Sequence, residues 1–425
     1  MQPNGRIPRI ALSVALWAVS LPGAYAHAAP DALAAAIGAN DVTVLTTLAA
    51  SAPTAVQRSV AEGALLALRH RDSRAIAELI PVTRSRATRD VRAQAYLVLA
   101  NVYLLQQRYR ESYAAIHSAL ELSPRSVQFS DRQTMAFTRA LRSIPPMQTL
   151  HAASGSLPFR RDRAGMIRVR VKIGARTQEA VLDTGANFST ISASAARRTG
   201  LRILPRAVTV GSSTEQSVPT RLGIARHIQI GDTVLSNVVF IVLPDSALTF
   251  PHGYRIEAII GLPVLMQLER LEFSNSGTLT LSYGVRDGTR PEQADAHSNL
   301  LLAGLEPLVL AHVPGVPTPL RMELDSGANA TGFAHNAIAD APALLHHAAQ
   351  HALRLGGAGG VVTEHKALRL PHVALIIGGR RFTLQGVAVS SHSNTGSDGT
   401  IGQDILRQGS RWTLNFKSMT LRIEK

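Results

Sequence analysis

Cysteine is absent from the 425 residues. That excludes disulfides, a thiolate nucleophile and any Cys-ligated metal centre. No Gly-x-Ser-x-Gly segment supports a serine-hydrolase elbow. No Gly-rich loop lies between a strand and a helix, as a phosphate cradle requires. Lysine and arginine outnumber aspartate and glutamate by 44 to 29, a formal charge of +15. The basic residues are nevertheless scattered, without a Lys/Arg block interleaved with aromatics, so they read as a solvated surface drawn to anionic envelope material and not as a nucleic-acid interface. His347 and His351 are spaced i, i+4 beside His346 on an expected helix, but no carboxylate stands at ligand spacing, and neither a metal nor another cofactor is expected.

A long hydrophobic run is also missing. The apolar stretch from Ile10 to Leu21 falls short of the roughly 20 residues of a membrane span. Preceded by Arg6 and Arg9 and followed by Ala24-Tyr25-Ala26 or Ala26-His27-Ala28, it has the form of a secretory signal over residues 1–28, with an uncleaved anchor as the alternative. The expectation is an exported, periplasmic protein without a stable membrane span after cleavage. Removing Arg6 and Arg9 lowers the charge from +15 to +13.

What is present divides in two. From 29 to 150, Ala- and Leu-rich segments with helical spacing are separated by Pro53, Pro81, Pro124 and Pro145-Pro146. Residues 93–126 resemble the tetratricopeptide register, with Tyr96, Leu99, Ala100 and Tyr103 on one helix and Tyr109, Ile116, Ala119 and Pro124 on or after the next. Residues 59–82 are expected to supply a preceding helical hairpin and 131–143 a capping helix. The groove of such a hairpin either docks a protein partner or is a packed spacer.

From 151 onward the pattern is β. Residues 151–165, rich in Ser, Gly, Pro and Arg, read as a linker. Ile167, Val169, Val171 and Ile173 then alternate as a half-buried strand should. Two stretches echo each other: Ala180-Val181-Leu182-Asp183-Thr184-Gly185-Ala186-Asn187 and Met322-Glu323-Leu324-Asp325-Ser326-Gly327-Ala328-Asn329. Each reads as a strand entering a tight turn. Asp183 is followed after 78 residues by Gly261 in Ile259-Ile260-Gly261-Leu262, and Asp325 after 77 by Gly402 in Thr400-Ile401-Gly402-Gln403. Leu271-Glu272-Phe273 is answered in turn by Leu414-Asn415-Phe416. One Asp-Thr-Gly alone is an ordinary turn. A repeat of roughly 140 residues is a duplicated lobe, here 151–290 and 291–425.

In these residues the chain resembles the aspartic proteases of retropepsin and pepsin type, over roughly residues 158–425. The resemblance implies a mainly β bilobal fold of two pseudo-symmetric barrels, following the all-α region. It implies a catalytic pair of Asp183 and Asp325, supported by Thr184 and Ser326 bonding across the lobes and by Gly185 and Gly327 at the carboxylates. Hairpins at 207–220, tipped by Gly211, Ser212 and Ser213, and at 353–362, with Gly357 and Gly359, correspond to substrate flaps. The substrate is then a polypeptide, cut by a water activated between the aspartates without an acyl-enzyme. A monomer suffices, because both aspartates belong to one chain. Ala186 and Ala328 stand where pepsin-like sequences carry a hydroxyl donor, so the pair is expected to hold its proton more tightly and work in weak acid or near neutrality. The rivals are a peptide-binding module with a decayed second site, since Thr331-Gly332-Phe333 replaces Ser189-Thr190-Ile191, and an interaction protein acting through its helices.

Overall fold

The computed structural model describes residues 9–10, 32–210, 218–285, 298–345, 348–357, 360–394 and 396–425. The signal segment expected over 1–28 lies outside them except for residues 9–10. The chain divides into two compact units, one of helices up to Pro146 together with Leu301–Leu305, the other holding Met147–Leu300 and Glu306–Lys425.

The helical unit runs α1 (Ala32–Gly38), α2 (Val42–Ser51), α3 (Ala55–Leu68), α4 (Asp72–Thr83), α5 (Arg89–Leu105), α6 (Tyr109–Leu122) and α7 (Phe129–Leu141). Caps set the starts: the Val44 amide donates to Asp41 Oδ1 at 2.9 Å, and Thr54 with Gln57 forms a capping box on α3. Between α5 and α6 the seam is made of small residues, with Ala93, Ala100, Ala115 and Ala119 buried around Ile116. Ser112 Oγ donates to the Ala100 carbonyl at 2.9 Å within that seam. Pro81, expected to break a helix, lies inside α4. It sits in the last turn, where the helix ends two residues later. No helix among the described residues is long and apolar enough to cross a membrane.

In the β unit, β1 (Gln148–His151) already pairs with a later strand, so the helical region stops short of residue 150. The supposed linker contains β2 (Gly155–Arg161). Gly155, Ser156, Pro158 and Arg160 are exposed and Arg161 is half-buried, while Phe159 is buried against Phe273. The first lobe continues with β3 (Ile167–Ile173), β4 (Arg176–Leu182), β5 (Ser189–Ser192), α8 (Ala193–Thr199), β6 (Arg202–Val210), β7 (Val218–Ile230), β8 (Thr233–Leu243), β9 (Ala258–Ile260), α9 (Leu262–Gln267), β10 (Arg270–Ser274) and β11 (Thr278–Ser282). Hydrogen-bonded neighbours run β3-β4-β9-β5-β8-β7 and return from β7 to β3, a closed six-strand barrel. Closure leaves no open edge around the core of Val169, Val171, Leu182, Ile191, Phe240 and Ile260.

The second lobe comprises β12 (Leu300–Ala303), β13 (Glu306–His312), β14 (Leu320–Leu324), β15 (Gly332–Phe333), α10 (Ala337–Asp340), β16 (Ala349–Gly357), β17 (Gly360–Ile377), β18 (Arg380–Val389), β19 (Gly399–Ile401), α11 (Gln403–Leu406), β20 (Arg411–Asn415) and β21 (Thr420–Glu424). Its ladder runs β13-β14-β19-β15-β18-β17, and β17 also pairs with β13. The region expected to hold a histidine-bearing helix is instead β16 at His351; His346 and His347 lie outside the described residues. β10 pairs antiparallel with β20, setting Leu271 against Leu414 and Phe273 against Trp412, whose rings stack at 4.0 Å. β20 and β21 thus extend the sheet of the first lobe, while β12 to β19 belong to a second sheet. The lobe boundary expected at 290/291 falls within residues 286–297, which are outside the described set.

Candidate active site

Each Asp-Thr/Ser-Gly turn leaves a buried strand at the same point of its ladder. The Asp183 amide donates to Ile260 of the parallel neighbour β9 at 3.0 Å, and the Asp325 amide donates to Ile401 of β19 at 3.0 Å. Both aspartates are sealed off, 0% and 1% exposed. The Gly185 amide donates to Asp183 Oδ1 at 3.0 Å and the Gly327 amide to Asp325 Oδ1 at 2.7 Å. Two hydroxyls frame the turns in the same way: the Gly261 amide donates to Ser189 Oγ and the Gly402 amide to Thr331 Oγ1, both at 3.1 Å. The looser Thr331-Gly332-Phe333 stretch therefore keeps the hydroxyl that the geometry uses.

The two turns are tied across the lobes by a closed set of four bonds. Thr184 Oγ1 donates to the Leu324 carbonyl at 2.6 Å and accepts from the Ser326 amide at 2.9 Å. Ser326 Oγ donates to the Leu182 carbonyl at 3.0 Å and accepts from the Thr184 amide at 3.0 Å. Each hydroxyl both donates and accepts, and all four groups are buried. Thr184→Ala strands a buried amide and a buried carbonyl, so it is expected to destabilise the protein by about 1–3 kcal/mol in thermal unfolding. Thr184→Ser, which restores the hydroxyl, should recover most of that loss.

The carboxyls themselves are held close. A Cβ built on Gly185 would stand 2.6 Å from the Asp325 carboxyl carbon, and one on Gly327 would stand 2.5 Å from that of Asp183. Each glycine lets its backbone lie against the other turn's aspartate. Burial holds the Asp183 carboxyl well above its ordinary range, and the charge and hydrogen bond of Asp325 push it further in that direction. The Gly185 and Gly327 amides oppose this by bonding the ionised form. Two carboxyls so placed share one proton, because ionising both in a dry site is costly. A pair with one proton can take a proton from water on one side and donate one to a carbonyl oxygen on the other.

Gly211, Ser212, Ser213 and Gly359 lie outside the described residues. The strands leading to the first tip, β6 and β7, stay paired to Val210 and Val218. Gly357 ends β16 and pairs with Gly360. Sequence reasoning missed several residues around the aspartates. Arg161 Nη1 donates to Gln403 Oε1 at 2.6 Å, and Gln403 Nε2 donates to the Ser326 carbonyl at 2.7 Å, a relay from β2 to the second turn. Burial pushes the Arg161 guanidinium down to about 10, with the charge of Arg407 adding to it. Glu306 and Glu323, two buried carboxyls of the second lobe, were also missed. Their signal was a charged residue inside each strand pattern, unreadable until the register of β13 against β14 was known.

Residues 168–264 match a family model described as aspartyl protease. The match spans β3 to α9 and contains Asp183 but not Asp325. Among solved structures, the crystal structure of a retropepsin-like aspartic protease from Rickettsia conorii is similar at 15% identity and a TM-score of 0.23, over 33% of this chain and 95% of that one. No curated protein matches the chain.

Proposed function

We infer that this aspartic-type peptidase is an endopeptidase whose Asp183 and Asp325 share one proton and activate a water against the peptide bond. The observation that carries the reading is the interlocked geometry of the two turns, in which each glycine packs on the opposite carboxyl and each hydroxyl bonds the opposite strand. The repeated ladder order supports reading the lobes as duplicated, pseudo-symmetric barrels that together make one site, so that a monomer is competent. The β6–β7 and β16–β17 hairpins fit the role of flaps over an extended polypeptide, which strand-like pairing would hold. For the helical unit, the alanine-lined α5–α6 seam supports a tetratricopeptide-like hairpin able to dock a protein partner. Export to the periplasm is proposed on the Arg6, Arg9 and Ile10–Leu21 pattern.

The test is cleavage of an unfolded protein by the purified chain between pH 3 and 8, run in water enriched in oxygen-18. Internal peptide bonds should be cut and one heavy oxygen should enter each new carboxyl, with no trapped acyl-enzyme. Absence of cleavage throughout that range, or a covalent intermediate detected by mass spectrometry, would overturn the reading.

A further inference from the structure

The two aspartate turns are alike in backbone and differ in what bonds them from behind. After Gly261 the first lobe has Leu262, whose amide donates to the Ala186 carbonyl at 2.8 Å; after Gly402 the second lobe has Gln403, whose amide donates to the Ala328 carbonyl at 2.9 Å. Both side chains are fully buried. The apolar Leu262 side chain has no bond to offer its turn. Gln403 Nε2 donates to the Ser326 carbonyl at 2.7 Å, and its Oε1 accepts from Arg161 Nη1 at 2.6 Å.

These bonds continue to the carboxyl. The Ser326 carbonyl and the Gly327 N–H belong to one peptide group, and that N–H donates to Asp325 Oδ1 at 2.7 Å. One chain therefore runs from the Arg161 guanidinium through the Gln403 amide and the Ser326–Gly327 peptide to Asp325. In such a chain each bond polarises the next, so a cation at one end strengthens the donor at the other. The matching Gly185 bond to Asp183 Oδ1, with Leu262 behind it in place of an amide, is longer at 3.0 Å. Stability alone does not account for Arg161. Its Nη2 is buried without a hydrogen-bond partner, and its remaining contacts are a 3.3 Å bond from Nη1 to the Gly165 carbonyl and the Phe159 ring 5.7 Å away. A half-buried cation so thinly matched is costly.

We propose that Arg161 and Gln403 are positioning residues that aim the Gly327 amide at Asp325 and so make Asp325 the ionised member of the pair, the base towards water, while Asp183 holds the shared proton for the carbonyl oxygen. The inference rests on Asp183 and Asp325 being the catalytic pair. Burial, with the charge of Arg407, brings the Arg161 guanidinium down only to about 10, so it stays a cation wherever the pair titrates. Asp404, next to Gln403, accepts from the Thr331 amide and hydroxyl. The titratable groups around Asp325 are Asp183 from the first turn, Glu323 of β14 and Glu306 of β13, which takes the place that Met166 has in the first lobe. Burial holds both glutamates well above the ordinary range, Glu306 up to about 8, so they stay neutral while the pair takes its first charge. Burial and Asp325 likewise hold the Asp183 carboxyl high, as the proton-bearing member requires.

The experiment is the pH profile of kcat/KM on a peptide substrate for wild type, Arg161→Met, Gln403→Leu, which copies Leu262, and the double variant. A weaker Gly327 bond makes the first ionisation harder, so each single variant should move the acid limb upward by about half a pH unit, roughly threefold in rate on that limb. The basic limb should move less, because Asp325 is ionised both before and after the second proton leaves. The double variant should move the acid limb no further than the larger single shift, since the two groups act in series. An acid limb that stays in place or moves downward in a folded variant, a rate loss uniform across pH, or additive shifts in the double variant overturns the proposal. If Gln403→Leu does not fold, Arg161→Met carries the measurement. Asp325→Asn is run alongside. Cleavage surviving in that variant would sink the catalytic pair itself, whereas cleavage lost there with an unmoved acid limb in the Arg161 and Gln403 variants would sink only the relay.

Discussion

Exchanging Asp183 or Asp325 for Asn is expected to lower kcat/KM by on the order of 10³-fold or more, since in the proposed mechanism each carboxyl moves a proton that an amide cannot. The amide keeps the local geometry, because Asn Oδ1 can still accept from the Gly185 or Gly327 amide. Asp183→Asn should at the same time make the protein more stable at pH 7. The Asp183 carboxyl is held well above its ordinary range by burial and by Asp325. A carboxyl raised in this way contributes its full stability below the unfolded value and loses it as pH rises through the folded one. Wild type should therefore weaken from about pH 4 towards neutrality, and the Asn variant should weaken less. Melting curves at pH 3.5 and pH 7, read beside kcat/KM, check both halves. More than a tenth of wild-type activity in either variant would exclude that aspartate from the chemistry.

The turns were legible in the sequence because chemistry constrains them locally. An Asp, a small hydroxyl and a Gly must follow one another, and Gly261 and Gly402 recur at matching distances because any Cβ there would strike the backbone of the neighbouring turn. β3 was legible by alternation, and the α5–α6 seam by its small residues at helical spacing. Other features depend on partners that composition cannot show. β2 looked like a linker because of its Gly, Ser, Pro and Arg residues; it is a strand because β3 and β11 supply both of its ladders. Pro81 looked like a boundary, and α4 ends two residues after it, since its ring and missing N–H disfavour continuing the helix. The joining of Leu271 to Leu414 across the lobes was hidden because the repeat shows likeness and not contact. Glu306 and Glu323 were hidden for a related reason: only the pairing of β13 with β14 buries both.

That buried acidic neighbourhood leads to a second large effect, on folding. Burial pushes the Glu306 carboxyl up to about 8, against the opposing hydrogen bond from Ser397 and the charge of Arg321. In the unfolded chain the same group ionises near the ordinary glutamate value. Between those two values the folded protein keeps a proton that the unfolded chain releases, so stability falls with rising pH through this window and levels off above about 8. At one pKa unit per about 1.4 kcal/mol, the accumulated loss is on the order of 5 kcal/mol. Glu306→Gln removes the titration and still offers Ser397 an acceptor. The variant should match wild type near pH 4 and melt roughly 5–10 °C higher at pH 8.5. Glu306→Met, which copies Met166 from the first lobe, should show the same divergence with pH, because an apolar side chain in a dry site has no charge to suppress. Parallel stability curves for wild type and both variants from pH 4 to 8.5 would mean that Glu306 is solvated or paired in solution, and that its carboxyl does not strain the fold.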